Sequence, residues 1–155
     1  MGFRIQGLAP DQFRHLYGLS DDALAARGVL RCRADCTPGF PDRVEMRDLD
    51  TGETALLLNF THQPAENAFR ASHAIFVREG AGRRYDGVDE VPEVMRVRPI
   101  SLRAFDAAHV MVDADLVDGA ALAPLIERFL ARREVAYLHA HYAKRGCYAA
   151  RIDRA

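Results

Sequence analysis

The chain has 155 residues, of which 49% are hydrophobic and 28% charged, the composition of an ordinary globular domain with enough chain to bury a core. Lys and Arg number 21 against 22 Asp and Glu, for a formal net charge of −1, which removes the electrostatic case for nucleic acid or an anionic membrane as partner. No apolar run approaches the roughly 18–20 residues of a membrane span, and the opening MGFRIQGLAP lacks the apolar stretch of a secretory leader, so the expectation is a soluble, cytoplasmic chain forming a single domain over 1–155.

In chain order, Phe3–Leu8 alternates as a short first strand, and Pro10 opens a short helix with Phe13, Leu16 and Tyr17 on one face. Ser20 followed by Asp21 and Asp22 reads as an N-cap with first-turn acids, and Gly28 as the stop. Val29–Asp35 and Arg43–Leu49 alternate apolar with charged residues, the pattern of half-buried antiparallel strands with a wet face. Cys32 faces inward on the first of them. Asp50-Thr51-Gly52 is a turn. Thr54–Phe60 is apolar on both parities and reads as a central strand covered on both faces.

Thr61–His73 breaks the pattern as a long polar connection, and Ala74–Val77 resumes as a strand. Gly80–Pro92 reads as a polar loop. Val94–Ala104 reads as a strand whose phase slips at Pro99, the mark of a bulge or an edge. His109–Val117 alternates. Leu122, Leu125, Ile126, Phe129 and Leu130 then form the strongest helical stripe, with Asp118 as its N-cap. Val135–Tyr142 and Cys147–Asp153 close the chain as a hairpin across Ala143–Gly146. The sum is an α+β fold: a mainly antiparallel sheet with one long C-terminal helix packed on it and short N-terminal helices.

Three groups of residues can carry chemistry. The Thr61–His73 connection holds His62, Gln63, Arg70, Ser72 and His73, and long loops on rigid scaffolds are where binding groups collect. Gln63, Arg70, Ser72 and His73 suit a carboxylate or phosphate, and Arg70 and His62 are expected to line the principal polar cavity. His139-x-His141 on a strand puts two imidazoles on one face, half of a metal site. A third ligand would come from His109, Asp113 or His73, but two histidines do not make a site, and no metal is assigned. Cys147 sits after Lys144, Arg145 and Gly146 and is a candidate nucleophile, with His62 or a strand histidine as base. A four-residue loop pairs Tyr142 with Cys147 and turns the thiol away from His139 and His141; a three- or five-residue loop reverses that.

Other features are quieter. Lys144 is the single lysine, and the arginines are spread along the chain rather than clustered, which fits base composition better than selection for anions. Three cysteines without a leader argue for free thiols in a reducing compartment. Cys32-x3-Cys36 lacks a partner pair, and Gly80-x-Gly82 opens no helix, so no cofactor is named.

The run HQPAENAFRASHAIFVREG (His62–Gly80) resembles the "HQP…YRASGPIFVRE" run of a bacterial family catalogued as domain of unknown function 1203. FRIQGL (Phe3–Leu8), GFPDRV (Gly39–Val44) and RGCYAARIDRA (Arg145–Ala155) are similar to it as well. Phe69 stands where that family has Tyr, and His73 where Gly is common. The resemblance spans nearly the whole chain. It implies a bacterial protein of one full-length domain and carries no activity with it. Two functions stay open: a module binding a small anionic metabolite through Thr61–His73, or an enzyme using Cys147 or one of His62, His139 and His141. A homo-oligomer is open too.

Overall fold

The computed structural model describes residues 2–155. The strands are β1 (Phe3–Gln6), β2 (Leu30–Arg33), β3 (Thr54–Gln63), β4 (Ala71–Arg78), β5 (Asp86–Val88), β6 (Pro99–Phe105), β7 (Met111–Asp118), β8 (Tyr137–Tyr142) and β9 (Cys147–Arg154). The helices are α1 (Asp21–Ala25), α2 (Glu93–Arg96) and α3 (Leu122–Leu130). The strands make two sheets, not one: a six-stranded sheet in the order β5-β1-β9-β8-β6-β7 and a three-stranded sheet in the order β2-β3-β4. Every pairing of named strands is antiparallel. The class is α+β, with few and short helices.

The C-terminal helix is shorter than expected. A 3-10 turn at Gly119–Ala121 leads into α3, 12 residues in all, and Asp118 makes no side-chain cap. The expected stripe is real: Leu122, Leu125, Ile126, Phe129 and Leu130 are all buried. They pack on the large sheet against Ile100, Leu102, Leu138, Ala140 and Ile152, at roughly 1.5–3 kcal/mol for each large side chain. Period two then dictates the other face. Residues 137, 139 and 141 of β8 point away from α3, and yet all six residues of β8 are buried, because the end of the small sheet covers that second face.

The small sheet has its own core. Leu56, Leu58, Ile75 and Val77 pack against Phe13, Leu16, Leu24 and Val29. The Ser20 hydroxyl accepts the Ala23 N–H at 3.1 Å and starts α1 as expected, whereas the segment opened by Pro10 is two 3-10 turns rather than a helix.

Several expected elements change. Arg43–Leu49 is irregular chain, not a strand with a wet face, and Arg43 is 1% exposed. Its backbone N–H reaches the Phe76 carbonyl at 3.1 Å, which inserts the segment beside β4. Val94–Val97 is a helical turn, and the apparent phase slip at Pro99 is the junction of α2 with β6. Asp86–Val88 is an edge strand inside the expected loop. The thirteen-residue connection shrinks, because β3 runs on to Gln63 and β4 begins at Ala71. Thr54–Phe60 is central in its sheet, but Asn59 is exposed. Cys32 is half-buried.

Candidate metal centre

Two β-bulges build the site. In β3 the register with β4 shifts between Phe60 and Gln63, so Thr61 and His62 together oppose Ser72. In β9 the register with β8 shifts between Ala140 and His141, so Ala149 has no partner and Tyr148 stands opposite His141. Bulges re-aim side chains. Here they bring His62 and Tyr148 onto the face that already carries His139 and His141. The His62 and Tyr148 rings stack at 5.2 Å with 6° between planes. The His62 and His141 rings meet edge to face at 4.9 Å.

The result is a three-histidine cluster. One ring nitrogen from each of His62, His139 and His141 lies within 4.8 Å of the others. His139 is 3% and His141 1% exposed, while His62 is half-buried. His62 Nδ1, His139 Nδ1 and His141 Nε2 are buried with no hydrogen-bond partner. Buried polar atoms are nearly always partnered, so three orphans in one cluster call for a common partner. None of the three is hydrogen-bonded to another.

The protonation states suit a cation. Burial drives the pKa of His62 down to about 4, helped by the charge on Arg103. Burial likewise pushes His139 and His141 down to about 3. All three rings are therefore neutral at pH 7, with lone pairs to give. His141 is further defined. Its Nδ1 lies 2.9 Å from the Gly146 carbonyl, which only accepts, so Nδ1 carries the proton and Nε2 the lone pair. That is how an outer hydrogen bond fixes the tautomer of a metal-binding imidazole. Gly146 holds this geometry at φ +77° in the hairpin loop, a conformation glycine adopts without strain.

Arg103 pairs in register with His139 across β6 and β8. Its Nε donates to Ser101 Oγ at 3.3 Å, and burial pulls its pKa below the usual arginine value with no carboxylate to offset that. Next to the cluster, Gln63 Nε2 donates to the Tyr137 hydroxyl at 2.8 Å, and that hydroxyl meets His109 Nδ1 at 2.8 Å.

The expected site residues therefore scatter. His62 joins His139 and His141, and Gln63 braces Tyr137 beside them. Of the third ligands considered, His109 is held by Tyr137, Asp113 pairs with Arg132, and His73 Nδ1 donates to the Ala74 carbonyl. Arg70 and His62, expected to line the principal polar cavity, line neither of two clefts of the protein: one is lined by Arg43, Tyr142, Cys147 and His73 among others, the second by Phe13, Leu16, Leu58 and Phe60 among others. Arg70 is exposed and donates to the Pro64 carbonyl of its own loop at 2.6 Å; Ser72 is exposed as well. Cys147 pairs with Tyr142, which puts it on the face opposite His139 and His141, so neither serves it as a base. Arg43 went unnoticed in the sequence because its alternating neighbours suggested a wet strand face.

Among the described residues, no helix is long and apolar enough to cross a membrane. No curated protein and no solved structure matches the chain. The family model described as "Protein of unknown function (DUF1203)" matches residues 39–154, a stretch that contains all three histidines, Arg103, Arg43 and Cys147. On that match, over well more than half its length, the chain belongs to the DUF1203 family.

Proposed function

We propose that this is a single-domain metal-binding protein. Its three-histidine centre takes a divalent first-row transition-metal ion, and a small anion completes the coordination. The observation that carries the reading is the convergence of three neutral imidazoles with ring nitrogens within 4.8 Å of one another, each ring having one buried nitrogen without a partner. Imidazole sets suit Zn, Cu, Fe and Ni rather than Mg or Ca, and three protein ligands leave a fourth position for water or a ligand. Zn–N bonds of about 2.0–2.1 Å hold nitrogens roughly 3.3 Å apart, so the rings draw inward on binding, with half-exposed His62 having the most room to move. Arg103 beside His139 supports an anion as the fourth ligand, such as the carboxylate of a small metabolite. The Thr61–His73 segment then contributes through His62 and Gln63. The three free thiols support a reducing, cytoplasmic setting.

The test is calorimetric titration of chelator-treated protein with Zn2+. We expect one ion per chain, a loss of affinity of about 10-fold or more in His62→Ala and His141→Ala, and no change in His109→Ala. Co2+ in place of Zn2+ adds a visible spectrum. Acetate should perturb that spectrum in the wild type and less in Arg103→Met. Wild type binding Zn2+ no tighter than the His62→Ala/His141→Ala double variant would end the reading.

A further inference from the structure

The β8–β9 hairpin has a second face. Tyr142 and Cys147 pair across it, and both line a cleft of about 530 Å³, within the usual range of small-molecule sites. Among the described residues, four cationic side chains line this cleft, Arg43, Arg98, Lys144 and Arg145, and no carboxylate does. Arg98 is neutralised by Asp48 at 2.6 Å. Lys144 and Arg145 are exposed at its edge. Much of the remaining wall is apolar, with Phe76 and Val97 in it.

Arg43 is the unusual member. It is 1% exposed. Its guanidinium donates to the Pro41 and Tyr148 carbonyls and, at 3.1 Å, to Cys147 Sγ, and it lies over the Tyr142 ring at 5.0 Å. None of these partners is a carboxylate, and a charge so deeply buried is stable only when compensated. A separate observation points the same way. Tyr142, a lining residue of the same cleft, is 4% exposed, and its hydroxyl has no hydrogen-bond partner. The cleft is thus short of an anion and short of an acceptor, with a sulfur held at its wall.

We propose that this cleft is a second site, independent of the histidines: it draws in a small anion with an apolar body and presents Cys147 Sγ to it as a nucleophile. The ligand class is an electrophile carrying a carboxylate or phosphate. The anionic group sits among Lys144, Arg145 and the Arg43 edge, the apolar body lies along Phe76 and Val97, and an oxygen accepts from the Tyr142 hydroxyl.

Iodoacetate is a minimal probe of this arrangement. The sulfur forms a bond to its methylene carbon, the carbon–iodine bond breaks with its electron pair leaving on iodide, and the thiol proton passes to solvent. Iodoacetamide undergoes the same displacement without the charge. Each reagent is applied to native, chelator-treated protein, and alkylation is followed at each cysteine by mass spectrometry. Exposed Cys36 serves as the internal reference, with its ratio corrected against N-acetylcysteine in the same solution for the carboxylate of neighbouring Asp35. We expect the ratio of iodoacetate to iodoacetamide rates to be about 10-fold higher at Cys147 than at Cys36, the scale on which a charged cleft concentrates a counter-ion. Phenyl phosphate should slow Cys147 alone. Lys144→Ala/Arg145→Ala, at exposed positions, should lower the ratio at Cys147 with the melting temperature unchanged. An equal ratio at the two cysteines, or no alkylation of Cys147 in the folded protein, would overturn the proposal, whichever way the zinc titration falls.

Discussion

Acid should destabilise the metal-free protein in two separate pH windows, and the first belongs to the histidines. His139 and His141 titrate near 3 in the folded chain and near 6.5 when unfolded. Between those values the unfolded state binds more protons, so stability is complete above about pH 6.5 and falls as pH drops toward 3. At pH 5 each ring lies about 1.5 units below its unfolded pKa and costs about 2 kcal/mol, at 1.36 kcal/mol per unit. The two together cost about 4 kcal/mol, a large share of an ordinary 5–15 kcal/mol. His62 is left out because water screens its exposed side. With a urea slope near 2 kcal/mol/M, the unfolding midpoint should fall by about 2 M between pH 7.5 and 5. Two ion-paired carboxylates stay clear of this window, and buried Asp42, whose carboxyl desolvation holds above its usual value, acts with the opposite sign, so the comparison with the histidine variants isolates the imidazoles. Hydrogen bonds from Arg47 and Arg4 hold Glu53 and Asp86 down to about 2, so what they contribute is lost only below about pH 4.5. The assay is urea unfolding of chelator-treated wild type, His139→Gln and His141→Gln at pH 7.5, 6 and 5. Each variant should lose about half of the wild-type slope. A midpoint that does not move in the wild type, or the same slope in all three proteins, would refute the reasoning.

Two expectations concern the scaffold. In Gly119→Ala the new methyl would stand 1.8 Å from the Met95 carbonyl oxygen and 2.6 Å from that of Arg98, both backbone atoms that cannot swing aside, so urea denaturation should show a loss of at least about 1–3 kcal/mol. Ile126→Ala empties a fully buried position of α3 and should cost about 2–5 kcal/mol in the same assay, with zinc stoichiometry unchanged because α3 packs on the face away from the histidines.

The histidine face was legible where chemistry and period coincided. His139-x-His141 lies on a strand, and period two leaves no choice about their sharing a face. The sequence left the side that Cys147 faces open, because it depends on the length of the loop; the observed pairing with Tyr142 is that of the four-residue loop and turns the thiol the other way. His62 was legible as a polar residue but not as a neighbour of His139. Its letters, Thr-His-Gln, end the apolar run that marks β3, and hydrophobic period takes such an ending for a loop. The backbone continues as strand because this end of the small sheet lies against another polar face, where histidines and tyrosines replace the apolar signal. No local pattern announces a contact between residues 77 positions apart, nor a bulge that decides which of Thr61 and His62 turns inward.

Arg43 shows the same failure in sharper form. Arg-Val-Glu-Met-Arg is as good an alternating strand as any in the chain, and its charged parity should face water. Instead Arg43 is buried, with its head group bonded to the β9 backbone and to Cys147. The pattern was sound physics applied to the wrong surroundings: a charge on the supposed wet face found a second sheet there instead of solvent. Natural sequences break local consistency mainly at strained or functional positions. In this chain the two breaks involving buried polar groups, at His62 and at Arg43, fall on opposite faces of one hairpin. Each leads to polar atoms that the protein leaves unpartnered, the three imidazole nitrogens on one face and the Tyr142 hydroxyl on the other. A fold that needed only a core could have closed both faces with leucine and valine. That it keeps buried histidines and a buried arginine at the cost of their desolvation is the physical reason to look for a metal ion on one face and an anion on the other.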